Sequence, residues 1–375
     1  MRVLIAAGGT GGHLYPALTV VSYFKRHNLA TQFLWVGGKR GLESQLVFPQ
    51  GLELEKINIR RFPRVLSWKW TGFVYGLGIS FLQSFFILLR FRPRIVIGMG
   101  SFHSFPIVML AFFSGIPSLI CEQNVRPSLT NQFLCRWTTR IAISFPQTKN
   151  YFPRSVRKKV YLVGNPIRPE ILKIKREEGM RKLKLKEDKF TLLFSGGSQG
   201  AHSINLSGIE AIRLLEKEGM ESQIQVLFIT GEKDLLWVQT SLRGLKIKCL
   251  IFSYLSRMEY AYASSDLVIC RSGATSLSEI TARGLPSILI PYPYATSSHQ
   301  WENAKVLQKE KAALVIQEKN LSGDKLKGKI LDLMRNKELL RKMGERSKKL
   351  GRPHAAEKIS ALIQQLVNPK FGKLS

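Results

Sequence analysis

The sequence predicts an α/β protein of two doubly wound domains, each a parallel sheet wrapped by helices. Three observations carry this. Short apolar runs of strand length alternate with helix-length periods, the β-α-β rhythm of a parallel sheet. That rhythm stops after "GNPIR" (164–168), crosses a charged stretch to Lys189, and then restarts. Each half opens on a glycine-rich turn between a strand and a helix, "AAGGTGGH" at 6–13 and "FSGGSQGA" at 194–201.

In chain order, strands are expected at 3–7, 31–37, 94–98, 118–121, 140–144 and 159–163. A second set follows at 191–194, 225–230, 248–252, 267–270 and 286–291. The boundaries drawn from this are an N-terminal domain at 1–164, a C-terminal domain at 165–350, and a closing helix and tail at 351–375 that can return to the first domain. A cleft between the two domains is expected.

Residues 71–89, "TGFVYGLGISFLQSFFILL", carry no charge and are bounded by Lys69 and Arg90. Length and flanks nearly meet a transmembrane criterion. Three readings stand: a spanning helix, a helix buried in the domain, or an apolar face on a membrane ringed by Arg60, Arg61, Arg64, Lys69, Arg90 and Arg92. Spanning would split the first sheet between two compartments, and the exposed face is preferred. Its patch residues are Trp68, Trp70, Phe73, Phe81 and Phe85.

An apolar content of 45% excludes a disordered chain. Lys plus Arg number 57 against 26 Asp plus Glu, a net charge of +31. From Lys56 to Cys121 there is no acidic residue, and Glu122 is the only one between Glu55 and Glu170. Such a surface attracts polyanions, either nucleic acid or anionic lipid headgroups. The basic residues here flank an apolar run rather than interleaving with aromatics on a recognised module, which favours an anionic membrane surface over nucleic acid. Cys121, Cys135, Cys249 and Cys270 form no C-x-x-C pair, so buried thiols in a reducing compartment are expected, with no structural zinc. The N-terminus enters a strand without a charged n-region, so no signal peptide is expected, and the cytoplasm is the expected compartment.

The first glycine turn is neither a dinucleotide fingerprint nor a P-loop. Counting from Gly9, Leu14 stands where a third glycine should be, and no Gly-Lys-Ser/Thr follows. What remains is a set of backbone amides at a helix N-terminus, suited to an anion. That positive end disfavours a protonated His13, leaving a neutral imidazole able to act as a general base or, alternatively, only to cap the helix. The second turn offers Gly196, Gly197, Gly200 and the hydroxyl of Ser198. In "CRSGATSLSEITARG" (270–284), Glu279 lies about one turn into a helix, where one carboxylate can accept both hydroxyls of a ribose. In "SSHQWENA" (297–304), the Gln300 amide suits sugar hydroxyls. The five aspartates never form D-x-D, which argues against a metal-bridged nucleotide-sugar site.

Taken together, these stretches resemble the MurG family, the UDP-N-acetylglucosamine:undecaprenyl-diphospho-muramoylpentapeptide N-acetylglucosaminyltransferases (glycosyltransferase family 28) of peptidoglycan synthesis. The resemblance runs from Gly8 to about residue 317 through "GGTGGHLYPAL", "GMGSFHS", "EQNVRPSLTN", "GNPIR", "GGSQGAHSIN", "CRSGATSLSE" and "HQWENA", in that order. It implies the GT-B fold, two Rossmann-like domains facing across a cleft. It also implies an inverting, metal-independent transfer from UDP-GlcNAc to the lipid-linked acceptor, lipid I, at the cytoplasmic face of the membrane, with no cofactor. Carried over, the donor site comprises Leu255 at the uracil and Glu279 at the ribose. Ser198 and Arg168 face the diphosphate. Ala274, Thr275, Ser276 and Gln300 line the GlcNAc, with Leu277, Ser278 and Arg271 in the same motif. Thr10, Gly11, Gly12 and Asn124 complete this site from the first domain. His13 is the expected base, and Gly8, Gly9 and Asn131 are the expected acceptor-side residues.

The sequence departs from the family pattern at Ser101 and Phe102, usually Gly and Tyr, at Ser128, usually Gly, and in lacking an Asp before His299. Alternatives kept open are another glycolipid synthase of this fold, such as one acting on diacylglycerol, a UDP-GlcNAc 2-epimerase, and a basic nucleic-acid-binding protein.

Overall fold

A computed structural model describes residues 1–9, 11–38, 43–59, 69–197 and 199–368, with Lys69 and Trp70 described by backbone alone. The chain divides into two compact units, Met1–Ile167 with Pro353–Ser375, and Arg168–Arg352.

The first unit is built on seven strands: β1 (Arg2–Ala6), β2 (Gln32–Gly38), β3 (Glu53–Ile57), β4 (Ile95–Gly98), β5 (Ser118–Glu122), β6 (Arg140–Ile143) and β7 (Val160–Leu162). They pair in the order β3-β2-β1-β4-β5-β6-β7, every pair parallel. The crossovers include α1 (Gly11–Arg26), α2 (Glu43–Val47), α3 (Lys69–Phe91), α4 (Ser104–Phe113) and α5 (Leu129–Leu134).

The second unit has β8 (Phe190–Ser195), β9 (Ile224–Ile229), β10 (Lys248–Phe252), β11 (Leu267–Cys270), β12 (Ser287–Leu289) and β13 (Ala313–Val315), in the order β10-β9-β8-β11-β12-β13, again all parallel. Its helices are α6 (Glu170–Lys173), α7 (Arg176–Lys182), α8 (His202–Lys217), α9 (Leu235–Ser241), α10 (Met258–Ser264), α11 (Ala274–Arg283), α12 (His299–Lys309), α13 (Gly323–Arg335) and α14 (Lys337–Leu350). The final helix, α15 (Ala355–Val367), belongs to the first unit, where Ile359, Leu362 and Ile363 join the core of Val3, Ile5, Leu14, Val20 and Phe24.

Two strands are additions to the expected set. β3 reads Glu-Leu-Glu-Lys-Ile and β13 is three residues long, and both lie at sheet edges. Edge strands are short or charged because an open, apolar edge invites aggregation, so they lack the buried-strand signature. Central strands are covered on both faces and read as unbroken apolar runs.

In an open parallel sheet, ligands gather beyond the strand C-termini where the order reverses direction. In the first unit that point lies between β1 and β4, and in the second between β8 and β11. Both glycine-rich turns stand there. The fold places them, and the site follows from it.

Candidate active site

In the second unit, β8 leads through Gly196–Gly200 into α8, and β11 leads through Arg271–Gly273 into α11. Gly200 takes φ +75, and a side chain on it would collide with the Thr230 carbonyl beyond β9, so this turn packs backbone on backbone. Ala274 opens α11 after Gly273, and Glu279 stands in the second turn of that helix, buried. Arg168 reaches the same place. Its Nη2 lies 3.8 Å from Glu279 Oε1, its Nη1 lies 3.7 Å from Glu259 Oε2, and Nη1 donates to the Ser256 carbonyl at 2.8 Å. The Ser256 carbonyl, Glu259 and Glu279 are thus assembled around the Arg168 guanidinium, with Leu255 next to Ser256 in the chain.

Burial pushes the Glu279 carboxyl up to about 7, against the Arg168 charge and a hydrogen bond from the Tyr262 hydroxyl, while Glu259 adds to the rise. Glu259 is itself buried and ion-paired with Arg257 as well as Arg168. Glu259 and Tyr262 were not singled out from the sequence. The signal was an acid three residues before an aromatic in a short amphipathic helix, which resembles ordinary surface charge until folding buries it.

The other donor-side positions separate into two groups. Thr275, Ser276 and Ser278 sit half-buried on the first turns of α11, whereas Ala274 and Leu277 are buried. Gln300, at the start of α12, accepts from the Tyr292 amide at 3.0 Å, and its carbonyl accepts from Ser272 Oγ at 2.8 Å, which ties α12 to the turn after β11. Arg271 is not gathered with Arg168. Its guanidinium donates to the Ile290 carbonyl and Ser203 Oγ, each at 3.1 Å, pairs with Glu318, and lies over the Tyr292 ring. Internal partners therefore occupy Arg271, and it braces the site. Thr10 and Ser198 lie outside the described residues.

In the first unit, Gly11 and Gly12 open α1, and His13 follows them half-buried in its first turn. The Gly8 amide donates to Ser101 Oγ at 3.1 Å and the Gly9 amide to Glu43 Oε1 at 2.9 Å. These two amides, expected on the acceptor side, are thus taken up by side chains of their own unit. The amides this turn offers an anion are those of the first turn of α1, which have no intrahelical acceptor.

Asn131, also expected on the acceptor side, is fully buried. Its amide donates to the Cys121 carbonyl at 3.0 Å and to Glu122 Oε2 at 2.8 Å. Glu122 also accepts from the backbone amides of Asn124 and Ser128, each at 2.9 Å. Burial raises the Glu122 carboxyl, and these donors oppose the rise. One buried carboxylate thus shapes the whole "EQNVRPSLTN" loop that carries Asn124. The departures fit the same frame. Ser128 caps α5 by accepting from the Asn131 amide, and Phe102 stacks between Phe73 and Phe105.

The long apolar helix has two faces. Thr71–Phe91 has a mean hydropathy of 1.8 and the length to cross a bilayer, yet it connects β3 and β4 of one sheet. Phe73, Ser80, Ser84, Ile87, Leu88 and Phe91 are buried. Val74, Tyr75, Leu82, Phe85, Phe86 and Leu89 form the opposite stripe, with Tyr75 70% and Phe86 59% exposed. Of the expected patch residues, Phe85 is exposed and Phe81 half-buried, but Phe73 is only 5% exposed. The reason is helical periodicity, which alternates inward and outward positions along an uncharged run. Trp68 lies outside the described residues, as does the side chain of Trp70. Phe112 and Phe113 on α4 and Leu129 and Phe133 on α5 extend the exposed apolar area.

All four cysteines are free, and burial pushes Cys121, Cys249 and Cys270 up to about 12. Among the described residues, no group of three or more His, Cys, Asp or Glu side chains is placed to hold a metal ion.

Residues 3–143 match the glycosyltransferase family 28 N-terminal domain and residues 191–359 the family 28 C-terminal domain. A protein from Halothermothrix orenii, named UDP-N-acetylglucosamine--N-acetylmuramyl-(pentapeptide) pyrophosphoryl-undecaprenol N-acetylglucosamine transferase, is 40% identical over 97% of this chain and 98% of its own. The chain belongs to glycosyltransferase family 28. A family member of the same name from Thermoanaerobacter sp. is 41% identical over 98% of this chain and 100% of its own. The crystal structure of Acinetobacter baumannii MurG superposes with a TM-score of 0.77 at 25% identity, covering 97% of this chain and 99% of that one. The fold is therefore the GT-B arrangement of family 28, with two parallel α/β sheets. A UDP-GlcNAc 2-epimerase from Neisseria meningitidis shares the fold at 14% identity and a TM-score of 0.65.

Proposed function

We propose that this family 28 member transfers N-acetylglucosamine from UDP-GlcNAc to the 4-hydroxyl of undecaprenyl-diphospho-MurNAc-pentapeptide, lipid I, giving lipid II. The observation that carries the reading is the Glu279 carboxylate paired with Arg168 near the β8/β11 switch point, in a chain matched end to end by transferases of that name. Glu279 accepts the ribose hydroxyls, and the uracil lies at the Leu255 backbone. Arg168 and the amides of the 196–200 turn face the diphosphate. Ala274, Thr275, Ser276 and Gln300 face the sugar, with Arg271 tying the end of β11 to Ile290, Ser203 and Glu318.

His13 takes the proton of the acceptor hydroxyl as that oxygen attacks C1 of GlcNAc opposite UDP, with inversion and without a metal. The C1–O bond to UDP breaks, and the electron pair goes to the β-phosphate. Loss of one hydrogen-bond donor to that growing charge costs about 3–4 kcal/mol of barrier. The exposed stripe of α3, with Phe112 and Phe113, rests on an anionic leaflet of the membrane on its cytoplasmic side, where the lipid-linked acceptor resides. No nucleic acid is required as a partner.

The decisive experiment is transfer of labelled GlcNAc from UDP-GlcNAc to a lipid I analogue, with and without chelator. Transfer unaffected by chelator is expected. Transfer to diacylglycerol and none to lipid I would move the assignment to another glycolipid synthase. His13→Ala is expected to lower kcat about 100-fold or more. Near-wild-type turnover would remove His13 from the role of base.

A further inference from the structure

We propose that Glu43, together with Ser101 and His103, is the positioning set that locks the first glycine turn so that α1, and with it His13, is correctly presented to the acceptor. The inference rests on the acceptor reading above and adds three residues that touch neither substrate in it.

Glu43 opens α2 and is 1% exposed. Its Oε1 accepts the Gly9 amide at 2.9 Å and the Gly38 amide at 3.2 Å, tying the turn after β1 to the end of β2. From the other side, the loop after β4 supplies Ser101 Oγ to the Gly8 amide. The His103 ring fills the space against Gly8 and Gly38, and a side chain on Gly8 would come within 2.5 Å of His103 Nδ1 and 2.6 Å of Glu43 Oε1. Gly9 takes φ +93, a left-handed conformation that this cage must hold. The segments that follow β2 and β4, the two strands flanking β1, thus both hold the turn that follows β1.

The chemistry argues for more than packing. A buried carboxylate costs several kcal/mol unless it is paired and hydrogen-bonded. Glu43 Oε2 and His103 Nδ1 are both buried without a hydrogen-bond partner among the described residues. The carboxylate is therefore held by one amide of the turn it shapes, Gly9, and one from the end of β2, Gly38. Burial keeps the His103 imidazole below the usual histidine range, with Glu43 pulling it upward, so the ring beside the turn stays neutral near pH 7. An apolar side chain at position 43 would fill the same volume at less cost, but would leave the Gly9 and Gly38 amides without an acceptor. A base displaced by about 1 Å loses on the order of 100-fold in rate, so fixing this turn has a kinetic consequence.

The test compares wild type, Glu43→Gln, Glu43→Ala and Ser101→Ala in steady-state transfer to a lipid I analogue, alongside UDP-GlcNAc KM and thermal melts. Glu43→Ala is expected to lower acceptor kcat/KM about tenfold or more, with the UDP-GlcNAc KM within about twofold of wild type. Glu43→Gln keeps an oxygen for the two amides and is expected to recover most of that loss. Ser101→Ala, a milder change should Glu43→Ala fold poorly, is expected to weaken the acceptor side alone. Wild-type acceptor kinetics in both alanine variants would overturn the proposal. So would equal losses toward donor and acceptor that follow the fall in Tm and are not rescued by Gln. A wild-type chain that transfers nothing to lipid I would instead overturn the function proposed above, and with it any acceptor role for this turn.

Discussion

Glu279 shows how burial turns an ordinary carboxyl into a titrating one. With its carboxyl raised to about 7, the ionised form that the proposed ribose role requires is depleted as the pH falls from 8 to 6. The UDP-GlcNAc KM is therefore expected to rise on acidification, approaching about tenfold per pH unit below 7, and Glu279→Gln should flatten that profile. A pH-independent donor KM in the wild type would count against the ribose role. Glu279→Ala is expected to raise donor KM while leaving kcat comparatively intact, and the opposite split would also refute it. Glu279 was legible in the sequence from its place one turn into a helix after a small-residue turn. Its partners Glu259 and Tyr262 were not, since nothing local marks which acid a tertiary fold will bury.

At the scale of elements, α3 has a buried face and an exposed apolar face, and the proposed membrane role belongs to the second. Phe86→Glu and Leu82→Glu change only exposed positions, so they should abolish binding to anionic liposomes while leaving Tm within about 1–2 °C. Retained liposome binding in the double variant would remove this stripe from the membrane role. Phe73→Ala acts on the buried face and should destabilise the fold by about 3–5 kcal/mol, read as a lower denaturant midpoint. Hydropathy alone made 71–89 a membrane candidate. The division into an inward and an outward stripe appears only once the helix is set against the sheet, because the run has no charged face to orient it and its Ser80 and Ser84 lie on the buried side.

At the scale of the molecule, the chain leaves the first unit at Ile167 and returns to it at Pro353, so the last helix completes the core that the first strand began. Ile359, Leu362 and Ile363 bury their side chains there at roughly 1.5–3 kcal/mol each. Truncation after Arg352 is therefore expected to lower the melting temperature of the first unit, while UDP-GlcNAc binding by the second is retained in calorimetry. An unchanged melt would show α15 to be dispensable. The sequence by itself determined the two parallel sheets, the two glycine turns and the place of Glu279 early in a helix, because apolar runs, glycines and helix starts are local signals of period and backbone geometry. Only the tertiary structure decided the edge strands β3 and β13, whose charge or brevity hides them. It alone also turned the Gly8 and Gly9 amides inward, because their acceptors Ser101 and Glu43 come from distant segments that meet only when β1, β2 and β4 lie side by side.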